Sequence, residues 1–180
     1  MPATVDITRW TGTTGAPVKG VITGINTRAN AEDVNSVADT VNPVQIPPSG
    51  TNYSYWVSTR LTCSVTPAGT INNLRWYSGG TNNLGTGIDC FGNEATAYTQ
   101  ATGTLGQTGT VLSSANYPTV TTPVQVWTLT AAAPKSLAGS LSNPGTGDFG
   151  SWFVYQINVG TTALPGATGQ TTFTWKYDET

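Results

Sequence analysis

The chain has 180 residues, only 9% of them charged, with a net charge of −2 and no histidine. Its seven lysines and arginines form no basic run, so the counterion-releasing stripe that nucleic acid binding needs is missing and no direct DNA or RNA partner is expected. Without histidine there is no Ser-His-Asp or Cys-His catalysis, no His-ligated metal and no ordinary near-neutral proton shuttle.

Residues 1–48 read as an N-terminal arm or docking subdomain, and residues 49–180 as the main domain. Val5, Ile7 and Arg9 alternate with polar residues up to Trp10, which predicts a short strand. Thr11 to Pro17 is a loop, and Val18 to Ile25 is compatible with a second strand. One helix signal follows. Asn30 suits an N-cap, Glu32 and Asp33 sit in the first turn, and Val34, Val37, Ala38 and Val41 share one face. Asn42-Pro43 stops that pattern, and Pro47-Pro48-Ser49-Gly50 reads as a corner or linker.

From Asn52 the periodicity becomes two. Tyr53, Tyr55, Val57, Thr59, Leu61, Cys63 and Val65 predict one face of a long strand, with Trp56, Ser58 and Arg60 on the other. After Pro67-Ala68-Gly69, Leu74 and Trp76 form the next inward pair, and Ile88 and Cys90 another. Ala95 to Ala101 reads as a strand around Tyr98. A Gly-rich stretch then runs from Gly103 to Gly109, ahead of Val111 and Leu112. Val124, Val126, Thr128 and Thr130 alternate against Gln125, Trp127 and Leu129. Phe153, Tyr155, Ile157 and Val159 alternate against Trp152, Val154, Gln156 and Asn158. Leu164 to Gly169 reads as a hairpin loop, and the last strand turns Phe173, Trp175 and Tyr177 inward.

About seven such strands, separated by turn signals and not interleaved with helices, predict an all-β sandwich or Greek-key barrel. The composition agrees: 21 Gly and 11 Pro supply turns, while 6 Trp, 7 Tyr and 4 Phe are far more aromatic content than a disordered chain carries. The spacing of Cys63 and Trp76 resembles the strand B cysteine and strand C tryptophan of immunoglobulin-like domains. That resemblance implies a sandwich core with the Trp packed beside the Cys. It does not extend to the family's disulfide, because Cys90 lies too close to Trp76 to be the strand F cysteine.

Cys63 and Cys90 cannot complete a tetrahedral zinc site without histidine. Two readings stay open for them: a pair of buried thiols, or a disulfide formed after release from the cytoplasm. Glu32-Asp33 reads as a helix start and Asp178-Glu179 as solvated, so no carboxylate pair is set across a cleft about 5–9 Å wide as glycoside hydrolysis requires. No catalytic residue, metal or cofactor is expected. Gly145 to Gly150 matches G-x-G-x-x-G but precedes a strand, so no helix N-terminus is there to hold a phosphate.

The candidate functional residues are the tryptophans. Trp56, Trp127 and Trp152 fall on strand faces opposite the expected core, and Trp10 ends the first strand, so all four are expected as interface anchors. No stretch of about 18 apolar residues predicts a membrane span, and Met1 to Asp6 has no Sec-signal character. The closing run Thr172 to Thr180 is similar to the ends of phage structural proteins. Together with synthesis in a cytoplasm without a signal, a sandwich fold, few charges, a terminal arm and spare aromatics, it leads to the expectation of a non-enzymatic virion subunit, a capsid decoration or tail protein, whose partners are other protein subunits. The same features fit a self-assembling extracellular filament or surface-layer subunit whose arm adds a strand to a neighbour. Aromatic residues stacking on sugars would instead make a carbohydrate-binding module, with a glycan as partner.

Overall fold

Thr, Val, Ile and aromatic residues in period two form pleated surfaces, and Gly, Pro and Asn turn the chain between them. The computed structural model describes residues 2–35, 41–166 and 168–180. Its strands are β1 (Thr4–Thr11), β2 (Val18–Val21), β3 (Thr51–Tyr53), β4 (Val57–Val65), β5 (Thr70–Ser78), β6 (Ile88–Ala95) and β7 (Gly103–Thr104). They continue as β8 (Thr108–Gly109), β9 (Val124–Gln125), β10 (Lys135–Ser136), β11 (Leu141–Ser142), β12 (Gly147–Gly160) and β13 (Phe173–Glu179). Every strand pairing is antiparallel.

The first sheet has the order β2-β1-β4-β12-β6-β9, with β3 beside the far end of β12. In the second sheet β5 is central. Trp76 pairs with both Trp175 and Lys135, and Ile71 with both Glu179 and Leu141, so β13 lies on one edge of β5 and β10 and β11 on the other. The protein is therefore all-β, and the two sheets enclose a core. Val57, Leu61 and Cys63 of β4 meet Ile71, Leu74 and Trp76 of β5, and Phe149, Phe153 and Tyr155 of β12 complete it. The Trp76 ring stacks on Phe153 with centroids 3.7 Å apart and planes 11° from parallel.

The first sheet is covered on its other face as well. There Trp10, Tyr55, Trp56, Ala95, Trp152 and Val154 pack under Tyr98, Ala101, Leu112, Tyr117 and Val120. The cover is the irregular segment between β6 and β9, which crosses back over the sheet and leaves Tyr117 fully buried.

Local departures from regular pairing have physical causes. The expected long strand breaks at residues 54–56. Ser54 still donates to Ile157 O (2.8 Å), but Tyr55 donates to Asn30 O (2.8 Å), so Tyr55 leaves the alternation and joins Trp56 in the second core. In β12 the register against β4 shifts between Phe149 and Phe153. Gly150 sits there at φ 72, where a Cβ would lie 2.3 Å from Leu74 Cδ1. A second shift, opposite Lys176 and Asp178, is absorbed by Asn73 at φ 52, a left-handed conformation that Asn tolerates.

Several sequence expectations are corrected. Within residues 1–48, β1 runs between β2 and β4 in the first sheet, so this part of the segment packs on the chain's own core. Residues 31–35 carry no helical turn, and Val37 and Ala38 lie outside the described residues. Tertiary contacts compete with the helix there: Ala31 is fully buried in the second core, Ala31 O accepts from Gly106 N (3.0 Å), and Asp33 Oδ2 accepts from Gly12 N (2.8 Å). Residues 96–101 form no strand, and Val126–Thr128 is a 3-10 turn. Leu164 to Gly169 is not a hairpin loop, because it joins β12 of one sheet to β13 of the other.

Candidate interaction surface

The four tryptophans expected on the surface are all buried. Trp10, Trp56 and Trp152 are 8%, 2% and 9% exposed. The alternation assigned Trp56 and Trp152 to the outer sheet face correctly; the covering segment then makes that face an interior. Trp127 fails for another reason. The 3-10 turn ends the alternation, so Val126 and Trp127 both enter the first core. Trp127 Nε1 donates to Asp89 Oδ1 (2.7 Å), and the same carboxylate accepts from Cys90 N (2.8 Å) and Gln125 Nε2 (2.5 Å).

At the margin of the second core the rings meet cations. Trp10 and Trp152 pack edge to face, 5.2 Å between centroids. Arg60 lies over Trp152 at 4.0 Å and Lys19 over Trp10 at 4.6 Å. Lys19 is also paired with Asp148, which accepts from Thr62 Oγ1 (2.5 Å). Burial on its own would raise the Asp148 carboxyl. The hydrogen bonds from Lys19 and Thr62 and the charges of Lys19 and Arg60 outweigh it and hold the group below its ordinary value. Asp148 belongs to the G-x-G-x-x-G stretch, and its oxygens are occupied by this chain's own donors.

Arg9, which shares the alternation of β1 with Val5 and Ile7, is 1% exposed. Its Nη1 donates to Arg28 O (2.8 Å) while Nε has no partner. Burial lowers its pKa against the opposing influence of Tyr155, Asp33 and Tyr98. Tyr155 is pushed up to about 12, chiefly by burial.

Cys63 and Cys90 are free and buried, so the disulfide alternative is not realised. Burial raises both thiols, Cys90 strongly. Among the described residues no three His, Cys, Asp or Glu side chains converge to hold a metal. The concavities are shallow. One of about 490 Å³ is lined by Pro2, Ala68, Gly69, Glu179 and Thr180; another of about 190 Å³ lies beside Phe91, Val111 and Pro123.

What reaches the surface instead is aliphatic. Val18 and Val21 are 61% and 53% exposed on β2, and Ile25 just beyond it is 43% exposed. Among the described residues the outer edge of β2 pairs with no strand, and neither does the outer edge of β13. Sequence reading missed β2 as an edge because strand order is not encoded locally. The one available signal was Val-Lys-Gly-Val, in which the alternation of Val5 to Trp10 lapses.

Comparison with protein-family models, with curated proteins and with solved structures finds no match to this chain.

Proposed function

We propose that this protein is a structural, non-enzymatic subunit of a larger assembly, with a virion surface (capsid decoration) or tail position as the first reading. The observation that carries it is the exposed aliphatic strand β2, whose outer edge pairs with no strand among the described residues, although Asn35 Nδ2 donates to Val18 O (3.2 Å). Soluble proteins protect a sheet edge with charge, proline, a bulge or a cover. The one charge on this strand, Lys19, is turned back onto Trp10 and Asp148, while Val18 and Val21 stay exposed. An edge of that kind meets other chains. The low charge of the molecule supports the reading, and the closing run Thr172 to Thr180 favours a virion among the possible assemblies.

The test is mass spectrometry of gradient-purified particles and filaments from the native source. The expected result is this chain in DNA-filled particles at a fixed stoichiometry. A chain that is strictly monomeric and absent from every particle and filament ends the proposal.

A filament or surface-layer subunit is the second reading, favoured by the fact that each sheet ends on a strand with an unpaired edge, β2 and β13. It predicts polymers without a genome. The carbohydrate-binding reading loses its premise, since the rings of Trp56 and Trp152 are buried and present no face to a sugar. An immunoglobulin-like or Greek-key arrangement remains part of the proposal. Its support is that Cys63 and Trp76 both line the core between the sheets.

A further inference from the structure

We infer that β13 pairs antiparallel with β13 of a second copy of this chain, about a two-fold axis at Tyr177. The inference rests on the reading of the chain as an assembly subunit and specifies one contact of that assembly.

The hydrogen-bond phase of the strand comes first. Thr70 and Thr180 exchange both backbone bonds (2.7 and 2.9 Å). Ser78 donates away from β13, to Leu129 O (2.7 Å), and Leu74 O accepts from Leu137 N (2.9 Å) on that same far side. Phe173 is the partner of Ser78. By antiparallel alternation, Thr174, Lys176, Asp178 and Thr180 turn their backbone groups toward β5. Phe173, Trp175, Tyr177 and Glu179 then turn theirs toward the open edge.

A two-fold pairing must therefore set odd positions against odd positions. An axis at Trp175, Lys176 or Tyr177 satisfies this while retaining most of the seven-residue strand. Charge separates the three. With the axis at Lys176, the lysines of the two copies face each other, a like-charge pair. With the axis at Trp175, Lys176 faces Thr174 of the second copy. With the axis at Tyr177, Lys176 faces Asp178 of the second copy and Asp178 faces its Lys176, giving two opposite-charge cross-strand pairs. Both side chains are available for this. Lys176 is the exposed residue of the strand, and the Asp178 side chain is 41% exposed although it accepts from Arg75 (2.8 and 3.0 Å) and Asn73 (2.5 Å).

The strand contains no proline and no glycine. Its edge charges, Lys176 and Asp178, are opposite in sign and meet each other in the Tyr177 register, and Glu179 already accepts from Ala3 N (3.1 Å) and Ala68 N (2.7 Å). The rings of Phe173, Trp175 and Tyr177 are only half-buried at the margin of the first core, as are Val5 and Ile7 of β1. A second β13 alongside would extend the sheet and deepen their cover.

Sedimentation velocity over about 1–100 μM tests the pairing, with wild type expected to dimerise in that range. Lys176→Glu sets acid against acid, and Asp178→Lys sets base against base. Each variant by itself should raise the dimer dissociation constant on the order of 30-fold. An equimolar mixture restores both pairs and should return to within about threefold of wild type. Because Asp178→Lys also removes the Arg75 contact, a second arm uses cysteines. Lys176→Cys mixed with Asp178→Cys should give a disulfide-linked heterodimer in preference to either homodimer, since non-hydrogen-bonded partners have Cα atoms about 4.5 Å apart. Wild type monomeric throughout, either charge variant dimerising like wild type, a mixture that stays monomeric, or cysteines without preference for each other overturns the inference. A chain monomeric in solution but present in particles refutes this contact and leaves the assembly reading intact. A dimer found in no particle or filament does the reverse.

Discussion

Replacing Trp152 by alanine asks whether the outer face of the first sheet is a true interior. The ring is 9% exposed, packs edge to face on Trp10 at 5.2 Å and carries Arg60 at 4.0 Å. Removing a buried tryptophan costs about 3–5 kcal/mol, and the aromatic and cation contacts place this one toward the top of that range. One feature offsets part of the loss: Trp152 Nε1 is buried without a hydrogen-bond partner, a defect worth about 1–3 kcal/mol that leaves with the ring. The net expectation is a loss of about 3 kcal/mol, or a fall in Tm of about 6–12 °C for a chain of this size. Trp152→Phe keeps the edge contact and discards the orphaned donor, so it should stay within about 1.5 kcal/mol of wild type. Urea titrations followed by far-UV circular dichroism measure both. A Trp152→Ala change within about 0.5 kcal/mol, the value of an exposed surface site, would refute the second core.

Asp89→Ala strands the Trp127, Gln125 and Cys90 donors and should cost about 2–4 kcal/mol by the same titration, with Asp89→Asn milder. Asp148 has a folded pKa below its unfolded value, so its contribution is present at neutral pH and is lost as pH falls through and below the ordinary carboxyl range. Wild type should therefore lose more stability than Asp148→Asn between neutral pH and about pH 3, and equal acid sensitivity of the two proteins would contradict the Lys19–Asp148–Thr62 geometry. Both thiols should resist an aromatic disulfide reagent in the native state and react fully in urea; no reactive thiol in urea without reductant would mean the cysteines are bonded.

Much of the fold was legible because period-two alternation is a local property. It sorted Phe153 and Tyr155 from Trp152 and Val154 correctly, and it turned Cys63, Cys90, Trp175 and Tyr177 inward. The candidate site was legible only in part. Alternation says which side of a sheet a residue takes, and it carries no information about whether that side is covered. The cover over Trp10, Trp56 and Trp152 comes from residues far along the chain, in a segment without periodicity.

Composition and alternation by themselves determined an all-β chain and the two faces of its strands, because a strand's side-chain period is set by its own backbone. Tertiary structure decided the rest. Ala31 is drawn into the second core where an amphipathic helix was expected, Tyr55 leaves its strand to bond Asn30, and β2 and β13 become edges. Each of these outcomes depends on which distant segment supplies the buried surface or hydrogen-bond partner, and no local run of residues specifies that.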